Sequence, residues 1–324
     1  MPDPIMRTLS MSLPSELAGH IDVVHPSTAF TVPDTRPRKS IQFDSVVPKR
    51  DAAAPESCNV NDSNPRNVLT PACLQALYNI PTTPATQENN PLLVTGYGNQ
   101  WAQINDLQAF MKEFRPDYSA GANQTFVRVA IDGGTNPQWP GAAGIEAQLN
   151  IEYAAGIATA VLLHFLTVGG WDFPTALLDT TAYVASTPVP PTVMTTSKIC
   201  DGYAAASARG VSVLSASGDG GVSGNHDDGF NCGLFISVFP ASCPYVTSVG
   251  STIGFNPEIA VNFTSGGFSE VFPQPAYQTA AVDAFLKTIP DGFPKFNRAG
   301  RGYPDLSLQG WGYLITANEQ PSPQ

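Results

Sequence analysis

Apolar runs of strand length alternate with helical patterns along most of this chain, and that alternation limits its fold more than any other feature. Strand and helix in turn favour a mostly parallel sheet with helices on both faces, an α/β architecture. The periodicity predicts strands at Leu92–Gly96, Phe126–Ile131, Thr159–Leu166, Val211–Leu214 and Tyr245–Gly250, and helices at Leu107–Phe114, Gly144–Ala158 and Ile199–Ala208. Residues 167–198 are rich in Thr and Pro, show no clear period and receive no predicted element.

The charge balance limits the partners that this chain can have. Its 324 residues include 16 Lys and Arg against 27 Asp and Glu, which gives a net charge of −11. Because nucleic-acid binding depends on cationic contacts to phosphate, we expect no nucleic-acid partner. The sequence has no run of 18 apolar residues, so we expect no membrane span. A low content of basic residues also suits a protein that works in acid, although simple solubility explains it equally well.

The texture of the sequence changes near Cys58. Residues 1–30 contain a short helical pattern that ends at Pro26, and residues 31–57 are rich in Pro, Arg, Lys, Asp and Ala with little periodicity. The second stretch is typical of a linker. Its dibasic Lys49-Arg50 is either a processing site or solvated surface. The globular texture begins at Cys58 and predicts a domain over residues 58–324.

The five cysteines are an odd count. Cys58 and Cys73 are close enough in sequence for a local loop disulfide, and so are Cys232 and Cys243. Under this pairing Cys200 is left over.

Three glycosylation sequons begin at Asn61, Asn123 and Asn262. Together with the cysteines they favour a secretory, oxidising compartment and hence a secreted or extracellular protein. Residues Met1–Leu13 have no apolar core of a signal peptide. We therefore expect either an unusual export route or a true start upstream, and we favour the second.

One acidic residue, Asp219, lies in a glycine-rich turn directly after the predicted strand Val211–Leu214, within Ser215-Ala-Ser-Gly-Asp-Gly-Gly-Val-Ser-Gly224. An acid at the carboxyl end of a buried strand lies where open α/β sheets form their ligand crevices. The ordinary alternative is a tight turn, in which Asp is common. A trypsin-like serine loop is excluded because Gly220 stands where the serine would be needed.

The predicted helix Gly144–Ala158 carries Glu146 and Asn150, which are four residues apart and therefore lie on one face. A carboxylate on a mainly apolar helix is costly unless it is paired or used. The alternative is an exposed helix carboxylate with no further role.

The histidines have no supporting signature for catalysis or metal binding. His226 is followed by Asp227 and Asp228, but no second ligand group at a suitable spacing accompanies them. We therefore predict no metal site in this chain.

Several motifs follow one another in an order that is typical of a known family, namely Leu13–Pro26, Thr70-Pro-Ala-Cys-Leu-Gln-Ala-Leu-Tyr-Asn-Ile-Pro81, Phe114-Arg-Pro116, Glu146-Ala-Gln-Leu-Asn-Ile-Glu-Tyr153, Ala208-Arg-Gly-Val-Ser-Val213, Phe239–Gly250, Thr264-Ser-Gly-Gly-Phe-Ser269 and Gly300-Arg-Gly-Tyr-Pro-Asp-Leu-Ser307. The chain resembles the sedolisins, the serine-carboxyl peptidases that include fungal secreted tripeptidyl peptidases. The resemblance implies a subtilisin-like α/β domain that is incomplete at the C-terminus. It makes residues 1–30 the end of a propeptide, 31–57 an activation region and 58–324 a partial peptidase domain.

The family mechanism assigns roles to three positions of this chain. A serine attacks the peptide carbonyl, a glutamate takes its proton, and a second acid four residues later hydrogen-bonds to that glutamate. A protonated aspartic acid donates to the oxyanion. By resemblance Glu146 matches the general base and Asp219 the oxyanion acid. Asn150 replaces the second acid, and its amide can donate to Glu146 but cannot share a proton.

The resemblance also implies what these 324 residues lack. The nucleophile belongs to a Gly-Thr-Ser-x-Ser segment that would follow Gln324, and the family's calcium site would lie beyond it as well. A Ser-Tyr-Gly segment after Thr195-Thr-Ser197 is also missing, because Lys198 follows at once. We therefore expect no nucleophile, no metal and no cofactor in this chain, and no activity from it as written.

Three functions stay open. The first is an acid peptidase of tripeptidyl or endopeptidase type, a monomer that acts on peptides or proteins. The second is a non-catalytic pseudopeptidase that binds peptides or a partner protease. The third is a truncated product of a peptidase gene, which the missing segments favour. Asn150 is a substitution rather than a truncation, and it suggests that the parent protein is degenerate too.

Overall fold

The computed structural model describes residues 55–58, 69–170, 172–195, 200–223, 235–255, 257–290, 296–318 and 320–323. The chain divides into the units Met1–Phe43 and Asp44–Gln324, and every described residue belongs to the second. The predicted propeptide end, residues 1–30, and most of the predicted activation region lie outside the described residues.

A mostly parallel sheet forms the centre of the second unit. The strands are β1 Leu92–Gly96, β2 Val127–Ile131, β3 Leu163–Val168, β4 Val193–Thr195, β5 Ser212–Ala216, β6 Thr247–Ile253, β7 Ile259–Ala260, β8 Gly267–Pro273, β9 Gly300–Tyr303, β10 Leu306–Gln309, β11 Leu314–Ala317 and β12 Gln320–Pro323. The sheet has the order β10-β6-β5-β4-β1-β3-β2 with all these neighbours parallel, and β7 adds antiparallel to β6. Two small antiparallel pairs, β8–β9 and β11–β12, accompany it.

Helices cover both faces of this sheet, as predicted. They are α1 Pro71–Leu77, α2 Ile104–Phe114, α3 Ile145–Ile157, α4 Phe173–Ser186, α5 Cys200–Ala208 and α6 Thr279–Leu286. Val94 and Phe165 share one core with α2 and α3, whereas Leu93 and Met194 share another with α4 and α5. Because successive strand residues point to opposite faces, β1 serves both cores at once. The α/β prediction is confirmed.

Residues 167–198 contain a helix and a strand that the periodicity did not predict. Asp172 caps α4 by accepting the Thr175 N–H at 2.9 Å, and Pro174 lies in the first turn. Within the helix Thr180 donates its hydroxyl to the carbonyl of Ala176 at 2.9 Å. Threonine is a weak helix former, so its abundance concealed the helix. The Asp-x-Pro start was the available signal.

Strand β3 begins later than predicted. The expected start at Thr159 is wrong, because α3 runs to Ile157 and a turn with Ala160 at φ 61° follows before β3 begins at Leu163. Strand β1 has the predicted bounds Leu92–Gly96, and the remaining predicted elements are present with shifted ends.

Two arginines are buried inside the domain. Arg115, which is 1 % exposed, pairs with Asp117 at 2.9 Å and joins α2 to the segment after α3 through Thr159. Arg301 is 0 % exposed, pairs with Asp305 and donates to the carbonyl of Val246 at 2.9 Å. Each guanidinium therefore crosslinks segments that are distant in sequence.

The structure contains two disulfides among the described residues. Cys58–Cys73 forms as the sequence suggested, with 4.4 Å between the Cα atoms. Cys200 is not left over, because it pairs with Cys243. The predicted pairing of Cys232 with Cys243 is therefore wrong, and Cys232 itself lies outside the described residues. The first turn of α5 and the segment before β6 meet in the same buried core, which brings these two sulfurs together.

Replacing Arg301 with Met should lower the free energy of unfolding by about 1–3 kcal/mol, because the carbonyl of buried Val246 loses a hydrogen-bond donor and the accessible carboxylate of Asp305 loses its ion pair. Arg298→Met is the matched control, since Arg298 is exposed, and it should change stability by less than about 0.5 kcal/mol. Chemical denaturation of both variants measures the difference. Equal losses would contradict the crosslinking role.

Peptide mapping without reduction should recover Cys200 linked to Cys243. Cys200→Ser should lower the free energy of unfolding by up to about 4 kcal/mol, because the bond closes a long loop in the unfolded chain. Cys232→Ser should leave the linked peptide intact. Recovery of Cys232 linked to Cys243 would contradict the observed pairing.

Candidate active site

The start of α3 places Glu146 at the carboxyl edge of the sheet. Gly144 precedes the helix and donates its N–H to the carbonyl of Trp101 at 2.9 Å. The Glu146 N–H donates to Oε1 of Gln100 at 3.2 Å. A Cβ on Gly144 would lie 2.4 Å from that same oxygen, so only glycine permits this close approach. The segment after β1 therefore fixes the first turn of α3.

The Glu146 side chain is exposed, and Asn150 one turn later is half-buried. Both lie in the continuous helix α3, so they share a face as predicted. A carboxylate in a first helical turn is stabilised by the positive end of the helix dipole. This position suits an acid that works in its ionised form.

The turn that carries Asp219 follows β5, and hydrogen bonds made by two buried serines hold its backbone in place. Ser217, 2 % exposed, donates its N–H to the carbonyl of Val249 at 2.9 Å. Ser265, 1 % exposed, accepts the Gly220 N–H on its hydroxyl at 3.0 Å. These bonds fix the backbone of the turn, and the Asp219 side chain stays exposed.

Glycines give this turn its shape. Gly218 has φ 107° and Gly221 has φ 59°, conformations that side chains rarely adopt. The N–H of Gly221 donates to the carbonyl of Phe263 at 3.0 Å, and that of Ser265 donates to the carbonyl of Gly218 at 2.9 Å. These glycines thus allow the backbone conformation that the turn adopts around Asp219.

The segment that fixes the first turn of α3 and the turn that carries Asp219 follow two strands with one strand between them. Glu146 is held by the segment after β1, Asp219 follows β5, and β4 lies between these strands. Neighbouring strands are separated by about 4.8 Å, so β1 and β5 are about 10 Å apart. Parallel strands end at one edge, where α/β sheets bind ligands. We expected a Ser-Tyr-Gly deletion in the segment after β4. That segment includes residues 196–199, which lie outside the described residues.

A second pair of acids lies elsewhere on this edge. Asp132 directly follows β2, and Asp179 lies on α4. Partial burial raises the pKa of Asp179, and the charge of Asp132 and a hydrogen bond between the two carboxyl groups raise it further. The sequence analysis missed this pair because its members come together only in the folded chain.

A large cavity of about 1280 Å³ opens near the Asp219 turn but does not include Glu146. It is mostly apolar, and its walls include Val222, Phe268, Val282, Phe285 and Phe296. Neither Glu146 nor Asp219 lines it, so this cavity is separate from the positions of the two acids.

The described residues contain no group of three or more His, Cys, Asp and Glu side chains that could hold a metal ion. The stretch His226–Asp228, which the sequence analysis considered for a metal, lies outside them. In the same described part, no helix is both long and apolar enough to cross a membrane. The sequons at Asn123 and Asn262 are exposed, and the sequon at Asn61 is outside the described residues.

The comparisons with known proteins agree with this architecture. No family model matches the chain. It is 34% identical over 346 residues to the "Probable tripeptidyl-peptidase SED4" of Trichophyton verrucosum, covering 95% of this chain and 55% of the relative. It is 32% identical over 344 residues to the "Tripeptidyl-peptidase SED2" of Arthroderma otae, covering 96% and 56%. The chain therefore spans about half the length of these relatives.

A solved structure shows the same fold. The chain superimposes on Pseudomonas sedolisin, a serine-carboxyl proteinase, with a TM-score of 0.57 at 20% identity, covering 80% of this chain and 76% of that one. This likeness confirms the predicted subtilisin-like fold class. The relatives and the fold together support the sedolisin family for this chain.

Proposed function

We propose that this chain supplies the general base and the oxyanion acid of a serine-carboxyl peptidase that hydrolyses peptide bonds in acid. One observation supports the proposal. The turn with Asp219 follows β5, and the first turn of α3 with Glu146 is bonded to the segment after β1; these two strands lie about 10 Å apart in the sheet, a spacing that admits an extended peptide. The relatives' names point to peptides as the substrate class.

The chemistry requires the two acids to hold opposite protonation states. An ionised Glu146 takes the proton of a serine hydroxyl as the oxygen attacks the peptide carbonyl. A protonated Asp219 donates a hydrogen bond to the oxyanion that forms, and this requirement restricts the reaction to acid. The helix dipole favours the ionised form of Glu146, which lies in the first turn of α3. It does not act on Asp219, which lies in a turn, so Glu146 is the acid that is more easily kept ionised.

The serine of this proposal belongs to a Gly-Thr-Ser-x-Ser segment, which is absent from the 324 residues. Ser217 and Ser265 are not substitutes, since both are buried and their hydroxyls bond within the turn, to Thr264 and to Gly220 respectively. We therefore propose that the 324 residues alone do not hydrolyse peptides. The reaction needs a nucleophile within hydrogen-bond reach of its base.

A second candidate is a pseudopeptidase that binds peptides without cleaving them. Asn150 favours it, because an amide beside Glu146 can donate a hydrogen bond but cannot take up a proton. The same crevice would then hold a peptide or a segment of a partner protease.

We further propose that the protein works outside the cell as a monomer. The two disulfides form and persist in oxidising compartments, and the exposed Asn123 and Asn262 are accessible acceptors for glycosylation.

The transcript should encode Gly-Thr-Ser-x-Ser in frame after Gln324, and that longer protein should release tripeptides from a chromogenic peptide in mild acid. Glu146→Gln and Asp219→Ala should each lower kcat at least about 100-fold by removing the base and the oxyanion donor. Glu113→Gln, an exposed acid on α2, is the control and should leave kcat unchanged. A transcript without the serine segment, or full activity in Glu146→Gln, would refute the peptidase proposal.

Asn150→Asp in the longer protein should raise kcat about tenfold or more, because a carboxyl group can share the proton that Glu146 accepts. The pH profile of kcat measures the gain. Asn123→Asp makes the same substitution at an exposed position away from α3 and should have no effect. No gain from Asn150→Asp, with no basal cleavage, would favour the pseudopeptidase.

A further inference from the structure

Two carboxyl groups are buried where α2, α3 and β11 meet, and the reaction proposed above uses neither. Asp106 on α2 is 2 % exposed and Glu152 on α3 is 0 % exposed. Oε2 of Glu152 accepts the Thr316 N–H at 3.0 Å, and Oδ2 of Asp106 accepts the Asn318 N–H at 2.8 Å. We call Asp106 and Glu152 the buried acid pair.

The carboxyl oxygens of the buried acid pair accept backbone N–H groups at β11, as the carbonyl groups of a neighbouring strand would. Thr316 lies in β11, and Asn318 lies in the turn directly after the strand, with φ 57°. The N–H groups of both residues are bonded to the pair. The hairpin formed by β11 and β12 is therefore fastened to the helical layer through carboxyl oxygens. These bonds join segments that are 164 and 212 residues apart in sequence.

A glutamine holds the other oxygen of Glu152. Oε1 of Glu152 accepts from Nε2 of Gln148 at 2.9 Å, and Gln148 also accepts the Gln103 N–H on its Oε1 at 2.9 Å. Burial raises the pKa of Glu152 to about 9, the nearby charge of Asp106 adds to this, and the bonds from Gln148 and Thr316 oppose it. Glu152 is therefore uncharged in the folded protein at acid and neutral pH, which avoids two like charges in the interior.

Among the described residues, the other groups near the pair do not titrate in this range. Burial raises the pKa of Tyr153, and it raises that of Tyr313 to about 12, so both phenols stay neutral. Helix α1 and strand β1 contribute no titrating side chain, since Cys73 is in a disulfide. His164 of β3 points to the opposite face, because it alternates with Leu163 and Phe165 of the core that contains α3.

We propose that Asp106 and Glu152 form a proton-dependent latch, which fastens β11 to α3 in acid and releases it as the pH rises. Glu152 lies six residues after Glu146 on the same helix, about 9 Å along its axis. A loosened contact between β11 and α3 frees the helix that carries the proposed base. This consequence for catalysis depends on the proposed function, whereas the latch itself does not.

The direction of the pH effect follows from proton linkage. The folded state keeps Glu152 protonated in a range where the unfolded chain has lost that proton. The stabilisation is therefore complete below the ordinary pKa near 4.5 and is lost as the pH rises towards 9. With one proton involved, the opening equilibrium changes about tenfold per pH unit inside that window.

Amide hydrogen exchange of the 324-residue chain between pH 5 and 8 tests the latch. The protection factors of the Thr316 and Asn318 amides should fall about tenfold per pH unit, after correction for intrinsic exchange. The amide of Leu166, in β3 between β1 and β2, should depend less on pH. An equal slope at Leu166 would mean that the whole sheet opens together, which overturns the latch.

The variant Glu152→Gln removes the titrating proton but keeps a side chain of nearly the same size and shape. Glutamine keeps an acceptor towards Thr316 but has no proton to lose in this range, so the slope at Thr316 should flatten even if absolute protection is lower. Glu113→Gln, an exposed acid on α2, should keep the wild-type slope. The double variant Asp106→Asn with Glu152→Gln should be flat as well. An unchanged slope in Glu152→Gln, or a flat profile in the wild type, overturns the proposal. No substrate is involved, so the outcome is independent of peptidase activity.

Discussion

The burial of α3 on nearly all sides is the constraint on which the rest of the domain depends. Ala147, Ile151 and Ala155 of this helix are buried, and the Tyr153 hydroxyl donates to the carbonyl of Leu314 at 2.8 Å. A helix that is apolar all round needs neighbours on every face. The sheet, α1, α2 and β11 supply them, so only the first turn with Glu146 reaches the exposed edge.

The candidate site follows from that constraint and from the topology of the sheet. Parallel strands end at one edge, so the turn after β5 and the first turn of α3 lie at the same edge although they are distant in sequence. Both acids are held by backbone and by neutral side chains, such as Gln100 and Ser265. These bonds fix the positions of the two segments that carry the acids.

Several carboxyl groups of the fold favour acid conditions. Partial or complete burial raises the pKa of Asp179 and of Glu152, so each holds its proton more tightly in the folded state than in the unfolded chain. Both therefore contribute stability that is present in acid and is lost as the pH rises. Asp117 acts in the opposite direction, because the hydrogen bond from Arg115 lowers its pKa and the stability that it contributes is lost in acid.

The sequence by itself determined what is local. Periodicity predicted the alternation of strand and helix, the spacing of Glu146 and Asn150 placed them on one face, and proximity in the chain indicated Cys58–Cys73. The roles of Glu146, Asn150 and Asp219 came from the family resemblance and stay predictions. Only the tertiary structure decided the partner of Cys200 and the burial of Glu152 beside Asp106. Neither leaves a local pattern, because each depends on which distant segments meet in the packed interior.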